Sequence, residues 1–159
     1  MTSFLSKRKA VPKEIRIAIG ADHGGFTLKE TIKKYLEGRG YSVHDYGTFS
    51  PASVDYPDFA KKVAKAITSG ECERGILLCR NGIGMSIAAN RFKNVRAVTC
   101  YDVETAKSSR VHDNTNVLSL GADFLDEKKA TEIVDSWIRT EFDDSERRVR
   151  RIRMIDDMK

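Results

Sequence analysis

Cysteine is scarce: Cys72, Cys79 and Cys100 form an odd set with neither a C-x-x-C pair nor a cysteine–histidine pair at zinc spacing. That argues against a disulfide framework and a structural metal, and it fits a reducing, cytoplasmic compartment. No apolar stretch approaches the roughly 18 residues that a membrane span needs. No segment repeats or falls to low complexity. The basic cluster Lys7-Arg8-Lys9 is followed by no apolar core or small-residue cleavage site, so residues 1–13 read as a flexible tail rather than a signal peptide. The net charge of +5 invites a nucleic-acid partner. Yet the arginines at 147, 148, 150, 151 and 153 lie among Asp143, Asp144, Glu146, Asp156 and Asp157, with no aromatic residues between them for base stacking. A solvated helix face is the better reading.

What is present is an alternation of short apolar runs with amphipathic stretches. The 159 residues suit one domain, placed at 14–159. Strands are expected at Ile15 to Gly20, Tyr41 to Tyr46, Gly75 to Leu78, Val95 to Thr99 and Val117 to Leu120. Helices are expected over Phe26 to Glu37, Tyr56 to Thr68, Met85 to Arg91, Thr105 to Arg110 and Glu127 to Arg139, with a further helix from Asp144. Strand and helix in strict turn imply a Rossmann-like, three-layer α/β/α fold: a five-stranded parallel sheet with right-handed crossovers and a C-terminal helix. Ligands of such folds sit outside the carboxyl ends of the strands. His23 and His112 are expected in loops, and His44 at a sheet edge.

The chain's most informative segment is Leu78-Cys79-Arg80-Asn81-Gly82-Ile83-Gly84, a cysteine at a strand end followed by a glycine-bearing turn into a helix. A helix N-terminus favours the thiolate form of a nearby cysteine, and glycines let backbone N–H groups face an anion. Cysteine at a strand end is also common packing material, and the local pattern leaves both readings open. A cysteine phosphatase needs an arginine where Met85 stands. A Walker A loop needs a lysine that Gly84-Met85-Ser86 lacks, and a dinucleotide fingerprint finds Ile87 at its last glycine. Cys79, His112 and Asn114 or Asn116 would satisfy a papain-like list only by coincidence.

An aldose–ketose isomerase asks for different parts: one base, donors around an enediolate, and a group that opens the sugar ring. Cys79 suits the base, the N–H groups of residues 80–84 the donors, and His112 the ring opening. Asp22 and His23 suit sugar hydroxyls. Arg147 and Arg151, four apart on the terminal helix, suit a phosphate. None of this requires a metal.

These residues resemble the ribose-5-phosphate isomerase B family, which includes the subunits of galactose-6-phosphate isomerase. The resemblance runs from about Ile15 to Asp156. It is carried by Gly20-Ala21-Asp22-His23-Gly24-Gly25-Phe26-Thr27-Leu28-Lys29, Val54-Asp55-Tyr56-Pro57, Gly75 to Cys79, Gly82 to Arg91, and His112 with Asn116-Val117-Leu118. It implies cofactor-free interconversion of an aldose phosphate and a ketose phosphate, typically ribose 5-phosphate and ribulose 5-phosphate. It also implies a homodimer or a tetramer of dimers whose active sites are shared between subunits. Cys79 matches the family's enediol base and His112 its ring-opening residue. Asp22 and His23 match substrate contacts, Arg80, Asn81, Gly82, Ile83 and Gly84 the anion loop, and Arg147 and Arg151 the phosphate arginines. Arg80-Asn81 stands where the family has Gly-Thr or Gly-Ser, Asp113 replaces an asparagine that contacts substrate, and Asp123 aligns with a phosphate-contacting arginine. These departures admit a six-carbon or modified sugar phosphate, or a weakly active partner subunit, as alternatives.

Overall fold

The computed structural model describes residues 15–158; the tail expected at 1–13 lies outside them. The chain runs β1 (Arg16–Ala21), α1 (Phe26–Gly38), β2 (Ser42–Asp45), α2 (Tyr56–Thr68), β3 (Arg74–Cys79), α3 (Ile83–Ala89), β4 (Ala97–Thr99), α4 (Val103–Asp113), β5 (Val117–Gly121), α5 (Glu127–Arg139) and α6 (Glu146–Asp156). Every strand pair is parallel, in the order β2-β1-β3-β5-β4. β1, β3 and β5 are apolar at nearly every position because helices cover both faces of the sheet.

Side chains alternate across each strand, and the two faces bury separate cores. Ile17, Ile19, Ile76, Leu78, Leu118 and Leu120 face α1, α4 and α5, where Leu28, Ile32, Leu36, Ile133 and Trp137 meet them. Ala18, Leu77, Cys79 and Val117 face α2 and α3, with Val63, Ala64 and Met85. The chain thus leaves β1 toward one face and β3 toward the other. A crevice opens between the two departing loops, as expected where strand order reverses.

One residue breaks the apolar stripe of α1. Lys29 is fully buried, its Nζ donating to Asp45 at 2.6 Å and to Glu30 at 2.7 Å. Asp45, its side chain 8% exposed, also accepts from Lys33 and from the Gly47 N–H, so it pins the turn that follows β2. Burial alone would raise the Asp45 carboxyl. Hydrogen bonds from Lys29, Gly47 and Lys33 outweigh burial and hold it below its ordinary value. We expect Asp45→Asn to cost about 3 kcal/mol in denaturant unfolding, since it strands a buried ammonium with only the half-exposed Glu30. A carboxylate lowered in the fold contributes stability that is complete above its unfolded value of about 3.9 and is lost as pH falls through the folded value. The gap between wild type and Asp45→Asn should therefore narrow below about pH 4. An unchanged gap would remove the ionic pair from the account.

Candidate active site

The site grows out of the register between β1 and β3. Ala21 pairs with Leu78, and the Asp22 N–H continues the ladder by donating to the Leu78 carbonyl at 3.2 Å. Asp22 therefore stands beside Cys79. Alternation turns both side chains to the α2/α3 face. Asp22 Oδ1 accepts from the N–H groups of Gly24 at 2.9 Å and Gly25 at 3.1 Å, and its second oxygen has no protein donor among the described residues. The approach is tight, because a Cβ on Gly25 would lie 2.5 Å from the Leu78 carbonyl oxygen. His23 Nδ1 accepts from the Val54 N–H at 3.2 Å, which leaves the proton of the neutral ring on Nε2.

Cys79 is 5% exposed, and the Gly82 N–H donates to its Sγ at 3.1 Å. That donor is of the kind that steadies negative charge on sulfur. Asn81 Oδ1 lies 3.8 Å from the same Sγ and accepts from the Ile83 N–H at 2.9 Å. Among the described residues, the N–H groups of Gly84 and Met85 have no protein acceptor outside their own helix. Gly82 sits at φ +77°, and a Cβ there would come 2.9 Å from the Leu120 carbonyl carbon, so only glycine passes. The loop's carbonyls are tied away from the crevice: Tyr101 Oη donates to Asn81 O at 2.6 Å, Ser119 Oγ to Gly82 O at 2.5 Å, and Thr99 Oγ1 to the same oxygen at 3.0 Å. The other two thiols are held in the protonated form. Burial first, with Glu71 and Glu73 behind it, pushes Cys72 up to about 11, and burial raises Cys100.

Arg80 takes the opposite face from Cys79. Its stem packs against Gly24, where a Cβ would lie 2.6 Å from Arg80 Cγ, and its guanidinium stands 3.6 Å from Asp123. Both charged groups are more than half exposed. The cation thus pairs with the acid that follows β5 instead of pointing at the sulfur.

His112 and Asp113 close the last turn of α4 instead of lying in a loop, because the helix runs on until Asn114 caps it at φ +46°. That turn sits at the amino edge of the sheet. Cys79 pairs with Gly121 at one end of β5, while Val117 opens the other end four residues earlier, roughly 13 Å away at about 3.3 Å per residue. α6 packs there too: the Asp143 N–H donates to Val111 O, and Arg148 pairs with Asp143. Arg148 and Ile152 turn inward, which leaves Arg147 and Arg151 exposed on the neighbouring stripe. A cavity of about 550 Å³ lies at this same edge, lined by Arg96, Asp113, Thr115, Ile155 and Asp156 among others. One chain therefore brings Asp22, His23, Cys79 and residues 80–84 together, and gathers His112, Asp113, Arg147 and Arg151 at the far end. Around the first group stand the exposed apolar side chains of Phe49, Tyr56, Ile83, Ile87 and Phe124.

Sequence reasoning gave no site role to Val54, Tyr56, Thr99, Tyr101 or Ser119. The first two lie in the motif Val54-Asp55-Tyr56-Pro57, whose work in the fold is to meet His23 and the Gly84 backbone. Among the described residues no group of three His, Cys, Asp or Glu side chains is placed to hold a metal ion, and no helix is long and apolar enough to cross a membrane.

The sequence model of the Ribose/Galactose Isomerase family matches residues 17–155. Ribose-5-phosphate isomerase B of Escherichia coli is 44% identical over 128 residues, spanning 80% of this chain and 86% of that protein. D-erythrulose-4-phosphate isomerase of Pectobacterium atrosepticum is 42% identical over 131 residues, spanning 81% of this chain and 86% of its own length. The crystal structure of a ribose 5-phosphate isomerase from Thermotoga maritima superposes with a TM-score of 0.87 at 49% identity, covering 91% of this chain and 99% of that one. A crevice with a thiol, a carboxylate and inward N–H groups on a fold shared with these enzymes makes the chain a member of the ribose/galactose isomerase family, an aldose–ketose isomerase of sugar phosphates.

Proposed function

We propose that residues 14–159 act as one domain that interconverts ribose 5-phosphate and ribulose 5-phosphate in the cytoplasm, with Cys79 as base and no metal. The observation that carries this reading is Cys79 Sγ beside Asp22, with the Gly82 N–H at 3.1 Å and a turn of further N–H groups around it. The thiolate takes the C2 proton of the open-chain aldose and returns it to C1. The hydroxyl proton of C2 passes to the C1 oxygen, so the sugar gains and loses nothing. Between the two transfers a cis-enediolate carries negative charge on oxygen, and the N–H groups of residues 80–84 stabilise it. The free oxygen of Asp22 and Nε2–H of His23 hold sugar hydroxyls.

His112, Asp113, Arg147 and Arg151 come to this crevice from a second copy of the chain. The apolar rim of Phe49, Ile83 and Ile87 supports that arrangement, since exposed apolar patches mark contact surfaces. His112 takes the anomeric hydroxyl proton as the ring opens, and the two arginines grip the phosphate.

A four-carbon sugar phosphate is the second reading, favoured by the D-erythrulose-4-phosphate isomerase among the relatives. Assays with chelator present on four-, five- and six-carbon sugar phosphates separate the two. Ribose 5-phosphate should give the highest kcat/KM. A higher value for the four-carbon substrate would transfer the assignment to it, and activity that vanishes with chelator would end the metal-free mechanism.

A further inference from the structure

We propose that Tyr101, Thr99 and Ser119 are positioning residues that lock two peptide units of the loop after Cys79, so that one N–H faces the sulfur and the next faces the substrate oxygen. The inference rests on Cys79 being the base, and it extends to residues that touch neither sulfur nor sugar.

A trans peptide points its C=O and the following N–H in opposite directions. Holding one therefore aims the other. In the unit joining Asn81 to Gly82, the carbonyl accepts from Tyr101 Oη at 2.6 Å and the N–H reaches Cys79 Sγ at 3.1 Å. In the unit joining Gly82 to Ile83, the carbonyl accepts from Ser119 Oγ at 2.5 Å and from Thr99 Oγ1 at 3.0 Å, with the Ser86 N–H as a longer third donor at 3.4 Å. The N–H of that unit points the other way, to Asn81 Oδ1 at 2.9 Å. The neutral Asn81 oxygen holds the place of a substrate oxygen. A charged enediolate oxygen displaces it, because a charge-assisted hydrogen bond is about twice as strong as a neutral one.

The three hydroxyls come from two paired strands, in which Thr99 lies opposite Ser119. Thr99 ends β4, Tyr101 follows it, and Ser119 lies fully buried in β5. Gly82 sits at φ +77° and has access to other peptide orientations, so without these anchors its two peptide units can turn over. A turned unit would present a carbonyl oxygen to the thiolate or to the enediolate, replacing attraction by repulsion.

The two halves of the lock predict different losses. Tyr101→Phe keeps the ring and its edge contact with Phe124 but frees the Asn81 carbonyl. It should slow iodoacetamide alkylation of Cys79 at fixed pH and lower kcat about tenfold, with KM within about twofold. Thr99→Val with Ser119→Ala removes the two short hydrogen bonds to the Gly82 carbonyl and leaves it only the longer one from the Ser86 N–H at 3.4 Å. It should leave the alkylation rate near wild type and lower kcat by about 10- to 100-fold. Thr99→Ser, which restores a hydroxyl, should retain wild-type kcat. Should Ser119→Ala fail to fold, Thr99→Val alone carries the comparison. Wild-type turnover and alkylation in Tyr101→Phe, together with wild-type turnover in the Thr99→Val variants, would overturn the lock while leaving the base in place. Full turnover in Cys79→Ala would instead overturn the base. Slowed alkylation in Tyr101→Phe would then still support the lock on the sulfur.

Discussion

Cys79→Ala should lower kcat by about 10³-fold, within the 10²- to 10⁴-fold that a positioned general base supplies, with KM changed no more than a few-fold. The asymmetry follows from where the sulfur sits. It is 5% exposed, hydrogen-bonded by the Gly82 N–H, and next to Asp22. Removing it deletes the proton transfer and leaves the hydroxyl and phosphate contacts untouched. Steady-state kinetics on ribose 5-phosphate, with tritium wash-out from C2 as a second readout, measures both halves. Cys79→Ser should recover little, because an alcohol is a far weaker acid than a thiol and stays protonated. Turnover near wild type in Cys79→Ala would falsify the assignment of the base, and a KM raised in step with a falling kcat would recast Cys79 as a binding residue.

Much of this site is legible in the sequence because the signals are local. Pro57 beside the first turn of α2 and Asp126 at the N-cap of α5 fix those helices at the expected residues, and Asp126 accepts from the Lys129 N–H as a cap should. Glycines after β1 and β3 mark the two loops that form the crevice. What is not legible depends on the third dimension. Strand alternation gives Cys79 and Arg80 opposite faces, yet the sequence does not say which face is the crevice until Gly24 and Asp123 close around Arg80. Lys29 sits on the apolar stripe of α1 because Asp45, sixteen residues away, neutralises it. Tyr101, Thr99 and Ser119 act on carbonyl oxygens, which every residue owns, so no motif announces them. His112 shows the same limit at larger scale: its spacing from β5 is readable, but the edge of the sheet it occupies follows from α4 running antiparallel to the strands.

That placement leads to the second large effect. Cys79 and His112 lie at opposite edges of one sheet, so a site using both needs two chains. In a C2 dimer each crevice then takes Asp22 and Cys79 from one protomer and His112, Arg147 and Arg151 from its partner. Two dead variants should therefore rescue each other. Cys79→Ala alone and His112→Ala with Arg151→Ala alone should each be nearly inactive, since one lacks the base and the other the ring-opening group and half the phosphate grip. Co-expressed in equal amounts, half of the dimers are mixed, and each mixed dimer holds one site with both defects and one with neither. Activity should return to about a quarter of wild type on that count. If each chain instead completed its own site, every site in the mixture would carry a defect and the activity would stay at the average of the two parents. Sedimentation of the wild-type chain supplies the companion measurement: a fully active monomer would dismiss the shared site whatever the mixture showed.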